Sequence, residues 1–329
     1  TVRSGEASCG KFPQSCSVTF RVRRRKENTV GERDSISISR SRIGRKKAPC
    51  AAPPGAVTAE EAARFAAAAA EVVHLPAAQA QGYAGIGTLR EKRLHMAVKR
   101  YLSPDATEQE VPVRELGEAG TARDRIADVR LPDGHIFEVQ TGGFYPLRRK
   151  IGLYMAHTDS PVTVVHPLPY RKYLSWIDPA SGQILSRRRS PRHADVRSAA
   201  RELYWLSDWI GDPRLTVSLL FLELEEFRMQ DGWGRDGKRG SNRYERIPTA
   251  LCGRVDLRTP ADYAAYFLPQ EPTAFPNGYF TAAGYARLTG IRGRTTYGIL
   301  HLLEKLELIR EDGMEGRSRR YRLEAKSDG

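Results

Sequence analysis

Asp128, Glu138 and Gln140 bring two carboxylates and an amide together in the short stretch between Arg125 and Gln140. β-Branched and apolar residues alternate with polar ones on either side of Pro132, Asp133 and Gly134, which predicts a hairpin with strands Arg125–Leu131 and His135–Gln140. Side chains at i and i+2 of a strand project to the same side. Glu138 and Gln140 therefore point together while Phe137 and Val139 pack behind them, and Asp128 on the neighbouring strand can face the same space. The competing reading is a half-buried sheet with these polar groups on its solvated face, the commoner fate of an Asp and a Glu in a hairpin.

Upstream, Thr88–Leu102 reads as an amphipathic helix with Leu89, Met96, Ala97, Val98, Tyr101 and Leu102 as its apolar positions. Glu91, His95 and Lys99 recur on it at a four-residue spacing, which stacks them along one stripe. The order is then a helix with Glu91, a strand over Gln109–Leu116, the Asp128 strand, the Glu138 strand and a basic helix.

That order, with Asp128 and the Glu138-Val139-Gln140 run, resembles the PD-(D/E)XK nuclease superfamily, the restriction-endonuclease-like fold. Within it the pattern is similar to the nuclease domain of competence protein CoiA and related bacterial proteins, in which a Glu-x-x-x-His-x-x-x-Lys helix precedes the catalytic hairpin. The resemblance covers Gly87 to Asp178. It implies that Asp128 and Glu138 are carboxylate ligands of Mg²⁺ (or Mn²⁺), with Glu91 an additional acidic ligand or a group behind them. Hard divalent cations want oxygen ligands and usually take one or two carboxylates from the protein, leaving positions for water and substrate phosphate. A cation so held can activate a water and stabilise charge on the phosphate and the leaving oxygen.

Gln140 stands where the superfamily pattern has Lys. A neutral amide can orient a water but brings no positive charge. Some branches of the superfamily, the CoiA-like ones included, look similar in having Gln here. A basic group has two sources, Lys99 on the upstream helix or Lys150 on the following one, and the sequence does not choose between them.

After the hairpin, Thr141-Gly142-Gly143 reads as a turn and Tyr145–His157 as the next helix, with Arg148, Arg149 and Lys150 in its first turns. Cations there oppose the helix dipole unless something anionic lies nearby. A phosphate backbone would qualify, and a solvated cationic patch is the equal alternative. Pro161–Pro167 has the β-branched content of a central strand, and Lys172–Asp178 reads as its neighbour. An exposed basic loop follows at Arg187–Arg192.

Beyond it, Ala194–Ile210 is helical in pattern, and Leu215–Leu222 is a buried strand or the start of a helix. Arg235–Arg246 reads as a glycine-rich basic loop, suited to a nucleic-acid backbone or simply solvated. Then Phe280–Thr289 reads as a short helix capped by Thr281, Gly290–Gly293 as a tight turn, and Arg294–Leu306 as a second helix. Leu308-Ile309 and Arg320–Leu323 frame a two-stranded wing. Asn277–Glu324 thus resembles the winged-helix family. That resemblance places Arg292, Arg294, Thr295, Thr296 and Tyr297 at the start of the recognition helix and Arg317, Arg319 and Arg320 in the wing.

The fold class expected is therefore α/β, a restriction-endonuclease-like core with a small mixed sheet flanked by helices, followed by an α+β winged-helix domain. The expected division is a disordered basic tail over 1–54, a helical linker over 55–86 that includes a helix at Thr58–Val73, the nuclease-like core over 87–178, an extension or connector over 179–273, the winged helix over 274–324 and a tail over 325–329. A chain of 329 residues with 40% apolar content accommodates two folded units. Of the net charge of +14, a surplus of nine lies in residues 1–50, so the basic character is mostly N-terminal. No apolar run of about 18 residues and no signal-peptide core are present, which reads as a soluble cytoplasmic protein. Cys9, Cys16, Cys50 and Cys252 indicate neither a disulfide framework nor a zinc site. The seven histidines form no metal motif, and His135 and His157, though placed to approach the site, read more readily as structural. No phosphate loop is present.

Two functions follow from this reading. One is a Mg²⁺-dependent nuclease acting on DNA, with Asp128 and Glu138 on the metal, Gln140 orienting water and the winged helix delivering duplex. The other is a catalytically inactive nucleic-acid-binding or regulatory protein that retains the scaffold. A homodimer would suit double-strand cleavage.

Overall fold

The computed structural model describes residues 52–74, 93–178, 181, 183–229, 243–269 and 278–324. The basic tail, Glu91, the first residues of the expected Thr88–Leu102 helix and most of the Arg235–Arg246 loop lie outside them.

The first helix, α1 (Ala59–His74), opens on a reciprocal cap. The Glu61 N–H donates to Thr58 Oγ1 at 3.1 Å and the Thr58 N–H donates to the Glu61 carboxylate at 3.1 Å. Its apolar stripe, Phe65, Ala68, Ala69 and Val72, is buried. The linker expectation is corrected here. Phe65 stacks edge-on against Tyr101 of α2 (Arg93–Leu102) at 5.4 Å, and the two helices form one layer over the sheet. A stripe of four buried apolar residues cannot stay in water without a partner surface, and the sheet supplies it.

The chain then builds β1 (Gln109–Pro112), β2 (Ile126–Arg130) and β3 (Ile136–Val139), an antiparallel meander. β1 is shorter than expected, because Arg114–Leu116 turns into a single 3-10 turn. A 3-10 turn at Tyr145–Leu147 leads into α3 (Arg148–His157), which carries the chain across to β4 (Val162–Ile177), parallel to β3.

β4 corrects a second expectation. Pro161–Pro167 and Lys172–Asp178 are not neighbouring strands but parts of one 16-residue strand. The prolines within it are tolerated for a geometric reason. The Val162 N–H donates to Arg214 beside the next strand, whereas the Val165 carbonyl receives the Gln140 N–H on the opposite edge. Pro167 and Pro169 share the parity of Val165, so their missing donors face the edge where β3 has ended at Val165 and β5 (Ile184–Arg189) begins only at Tyr173.

Ala194–Ile210 is not one helix. It is a 3-10 turn at Val196–Ala199 capped by Asp195, a four-residue α4 (Ala200–Leu203) and another 3-10 turn at Tyr204–Leu206. Leu215–Leu222 resolves as strand. β6 (Leu215–Met229) runs parallel to β4 and pairs antiparallel with β7 (Arg243–Leu257). The sheet order is β1-β2-β3-β4-β6-β7 with β5 on the far half of β4, so the sheet continues well past Asp178. The result is a mixed α/β architecture in which a curled mixed sheet is flanked by helices. Val165, Leu220, Leu222 and Leu251 pack under α1 and α2, while Val164, Leu219 and Phe221 join Ile151 and Tyr154 of α3 on the other face. Strands buried on both faces read as continuous apolar runs.

The C-terminal part comprises α5 (Pro260–Phe267), β8 (Phe280–Thr281), α6 (Ala282–Thr289), α7 (Arg294–Lys305), β9 (Ile309–Glu315) and β10 (Ser318–Leu323). Thr281 caps α6 as expected, its Oγ1 accepting the Gly284 N–H at 3.3 Å. Gly290 ends the helix in the left-handed region at φ 75°, a conformation that favours glycine. β10 lies between β8 and β9 in a three-stranded sheet, with hairpin strands longer than the sequence pattern suggested. Ile299, Leu302 and Leu303 bury the inner face of α7 into the same core that contains Leu203 and Leu206. Among the described residues no helix is long and apolar enough to cross a membrane.

Candidate functional site

The β2–β3 hairpin forms as expected, with Val129 opposite Phe137 and Arg130 opposite Ile136, and its paired register ends there. Beyond that point the Val139 N–H donates to Asp128 Oδ2 at 2.7 Å, so the carboxylate takes a backbone donor of the neighbouring strand. The same oxygen lies 3.2 Å from His95 Nε2 on α2. Burial alone would raise this carboxyl. The hydrogen bond and charge of His95, the charge of Lys150 and the Val139 N–H outweigh it and hold Asp128 down at about 2.

Glu138 has the opposite fate. It is 3% exposed, and burial together with the negative charge of Asp128 raises its carboxyl to about 7. Lys150 Nζ donates to its Oε2 at 2.8 Å and the Tyr154 hydroxyl donates to its Oε1 at 2.9 Å, both from α3. Lys150 and Tyr154 are four residues apart, hence on one helical stripe facing the strand. Burial and the adjacent Glu138 carboxylate push the Tyr154 phenol well above its ordinary value, so it stays a donor.

The sequence left open which lysine reaches the site, and the structure brings Lys150. Lys99 instead pairs with Glu110, which adopts a left-handed backbone at φ 53°. Lys150 is accordingly not part of an outer basic patch with Arg148 and Arg149, because its ammonium is turned inward on Glu138. Arg148 and Arg149 are exposed, at 2.6 Å from Asp208 and 3.6 Å from Asp124.

Gln140 lies just past Glu138, but its side-chain amide nitrogen donates to the Gly143 carbonyl, closing the turn. Its carbonyl receives His166 Nδ1 at 2.6 Å, and the Phe144 N–H donates to Glu202 at 2.8 Å. The amide is thus a tie of the turn rather than a group standing open beside the carboxylates. Glu91 lies outside the described residues. His135 is a satisfied structural residue, stacked on Phe137 at 4.1 Å and bonded to Thr163 Oγ1 at 2.8 Å.

Sequence reasoning missed Tyr154, the His95–Asp128 contact and the clamping of the turn by His166 and Glu202. The four-residue spacing of Lys150 and Tyr154 was a readable signal. The other contacts join residues 26 to 58 positions apart and leave no local trace.

In the C-terminal part, Arg292, Arg294 and Tyr297 are exposed at the start of α7 and Thr295 is half-buried. Thr296 is not available to a ligand. It is buried, its hydroxyl donating to the Ile291 carbonyl at 2.8 Å. In the hairpin, Arg317 is exposed, Arg319 pairs with Glu311 at 3.1 Å, and Arg320 donates to the Asp312 carbonyl while lying 4.6 Å over the Tyr279 ring.

Fold and site together define a mixed α/β protein with a buried Glu138 beside a half-buried Asp128 at a hairpin, their carboxyls shifted in opposite directions. Residues 92–258 match the family described as a domain of unknown function (DUF8091), and the chain belongs to that family. The match begins at α2 and ends at β7, so it contains the whole large sheet and the carboxylate pair. A relative from Treponema pallidum (strain Nichols), described as an uncharacterized protein, is 27% identical over 249 residues, covering 74% of this chain and 89% of that protein. No solved structure matches the chain.

Proposed function

We propose that the protein is a divalent-cation-dependent phosphodiesterase, a nuclease of the PD-(D/E)XK type acting on DNA, with Asp128 and Glu138 as its metal-holding carboxylates. The observation that carries this reading is the pair itself. Glu138, 3% exposed on β3, has Asp128 on the adjacent β2, and burial together with that negative charge raises its carboxyl to about 7. Lys150 on Glu138 and His95 on Asp128 offset part of the cost of that crowding, and a bound cation would offset more.

The donor set fits Mg²⁺ or Mn²⁺. Among the described residues no group of three His, Cys, Asp or Glu gathers to hold a metal, whereas a hard cation with water and phosphate oxygens needs only one or two carboxylates. When bound, the cation supplies stabilisation of charge on the phosphate and the leaving oxygen. The protein's own groups do the rest. Lys150 supplies the positive charge that Gln140 lacks, His95 and the Val139 N–H fix the orientation of Asp128, and the Gln140 tie to Gly143 fixes the turn beside Glu138.

The run α2-β1-β2-β3-α3-β4, with a meander followed by a parallel crossover, supports the restriction-endonuclease-like reading. The order α5-β8-α6-α7-β9-β10 supports a winged helix. Arg292, Arg294, Tyr297 and Arg317 are its candidate nucleic-acid contacts.

One observation favours the alternative of a catalytically inactive nucleic-acid-binding or regulatory protein. Both Glu138 oxygens already have donors in Lys150 and Tyr154. The test is cleavage of supercoiled plasmid, linear duplex and single-stranded DNA with Mg²⁺ or Mn²⁺. The nuclease reading expects metal-dependent cutting that Asp128→Ala and Glu138→Ala each reduce by at least about 100-fold. Binding without cutting, unchanged by either substitution, favours the alternative.

A further inference from the structure

From Tyr145, in the turn that leads into α3, a connected line of aromatic rings runs to α7. Tyr145, two residues past Gly143, lies 4.8 Å from Trp205, which lies 5.4 Å from Tyr204, which lies 6.0 Å from His301 on α7. Tyr297, one helical turn from His301, extends the line along the exposed side of α7. Tyr145 and Tyr297, at its two ends, are each 65% exposed. Rings that serve only the core do not stand in water in this way, and an exposed aromatic series is informative where single exposed residues are not.

Two further features say what the line fits. Exposed Arg148 and Arg149 flank Tyr145 around a hollow of about 290 Å³ that Trp209 also lines, and exposed Arg292 and Arg294 precede Tyr297. Cations beside exposed rings match a chain of phosphates bearing flat bases. Moreover, Tyr204 packs close to Gly298, where an added Cβ would meet its ring at 3.4 Å. The side of α7 bearing Gly298 and His301 is therefore bordered by Tyr204, itself 43% exposed, which carries the line of rings onto the helix.

Resting on the nuclease reading, we propose that this line is a track for single-stranded nucleic acid, on which unpaired bases stack between α7 and the Asp128–Glu138 site. The substrate class is then a single strand or a duplex carrying a single-stranded end, the strand passing Tyr297 and Tyr145 before its backbone reaches the carboxylates. Stacking is sequence-tolerant because every base has a π-face.

The experiment is fluorescence-anisotropy binding of the full chain to labelled oligo-dT, oligo-U and a blunt duplex of equal length, in EDTA so that no cleavage intervenes. The single strands are expected to bind more tightly than the duplex. Tyr145→Ala and Tyr297→Ala should each weaken single-strand binding by about tenfold, with the melting temperature unchanged at these exposed positions. Tyr145→Trp should restore it. Comparison of oligo-dT with oligo-U separates DNA from RNA. Duplex binding equal to or tighter than single-strand binding, or single-strand binding indifferent to both alanines, overturns the track and leaves the nuclease reading standing. Failure to bind any nucleic acid overturns both.

Discussion

Glu138 is the residue on which the site turns, because its ionisation is the least favourable event there. Its folded value of about 7 lies above the ordinary 4.5. A raised value favours the protonated form in the fold, so the associated stability is complete below about 4.5 and is lost as pH rises through about 7. In chelator, wild-type stability should therefore fall between pH 5 and 8, and Glu138→Gln, which also loses the Lys150 ion pair, should abolish that fall. Urea unfolding at the two pH values measures this, and an identical loss in the variant would remove Glu138 as the source. Asp128 behaves oppositely. Its depressed value gives a contribution that is complete above its ordinary 3.8 and is lost as pH falls from there through about 2. Lys150 is the counter-charge to Glu138, and Lys150→Met should cut any nuclease activity by about 100-fold while leaving DNA affinity nearly intact. A comparable loss of affinity would instead make Lys150 a simple phosphate contact.

At the scale of elements, α1 is a layer of the core rather than a linker. Phe65→Ala should cost about 3–5 kcal/mol in chemical denaturation, whereas a residue of a free linker would change stability by under about 0.5 kcal/mol. The elements also show where sequence reading works and where it stops. The hairpin around Gly134 was legible because alternation and turn chemistry are local, and so was the Thr281 cap. β4 reads as two strands in the sequence, and its continuity through Pro167 and Pro169 depends on which edge lacks a partner. Ala194–Ile210 has helical periodicity but breaks into short turns around Ala200–Leu203. Of the candidate site, Asp128 and Glu138 were legible from spacing. The choice of Lys150 over Lys99 was not, since it depends on how the crossover lays α3 against β3.

For the whole molecule, the extent of the family match and the extent of the large sheet coincide, from α2 to β7, so the unit that carries the carboxylates is the unit the family shares. The C-terminal part is packed on that unit through α4 and α7, which brings the exposed arginines of α7 onto the same body as the site. If those arginines hold phosphates, removing Arg292 and Arg294 together should flatten the dependence of log affinity on log salt by about 2, one for each phosphate no longer neutralised, with little effect on sequence preference. An unchanged slope would place phosphate binding elsewhere. The central claim, that Asp128 and Glu138 form a cation site, is tested most directly by calorimetric titration of Mn²⁺ into the full chain at pH 6 and pH 8. Because Glu138 must lose its proton to ligate, affinity should rise by about tenfold between the two, and Glu138→Gln and Asp128→Asn should each weaken it by at least about tenfold. Binding that is absent at both pH values, or that neither substitution alters, would contradict the account.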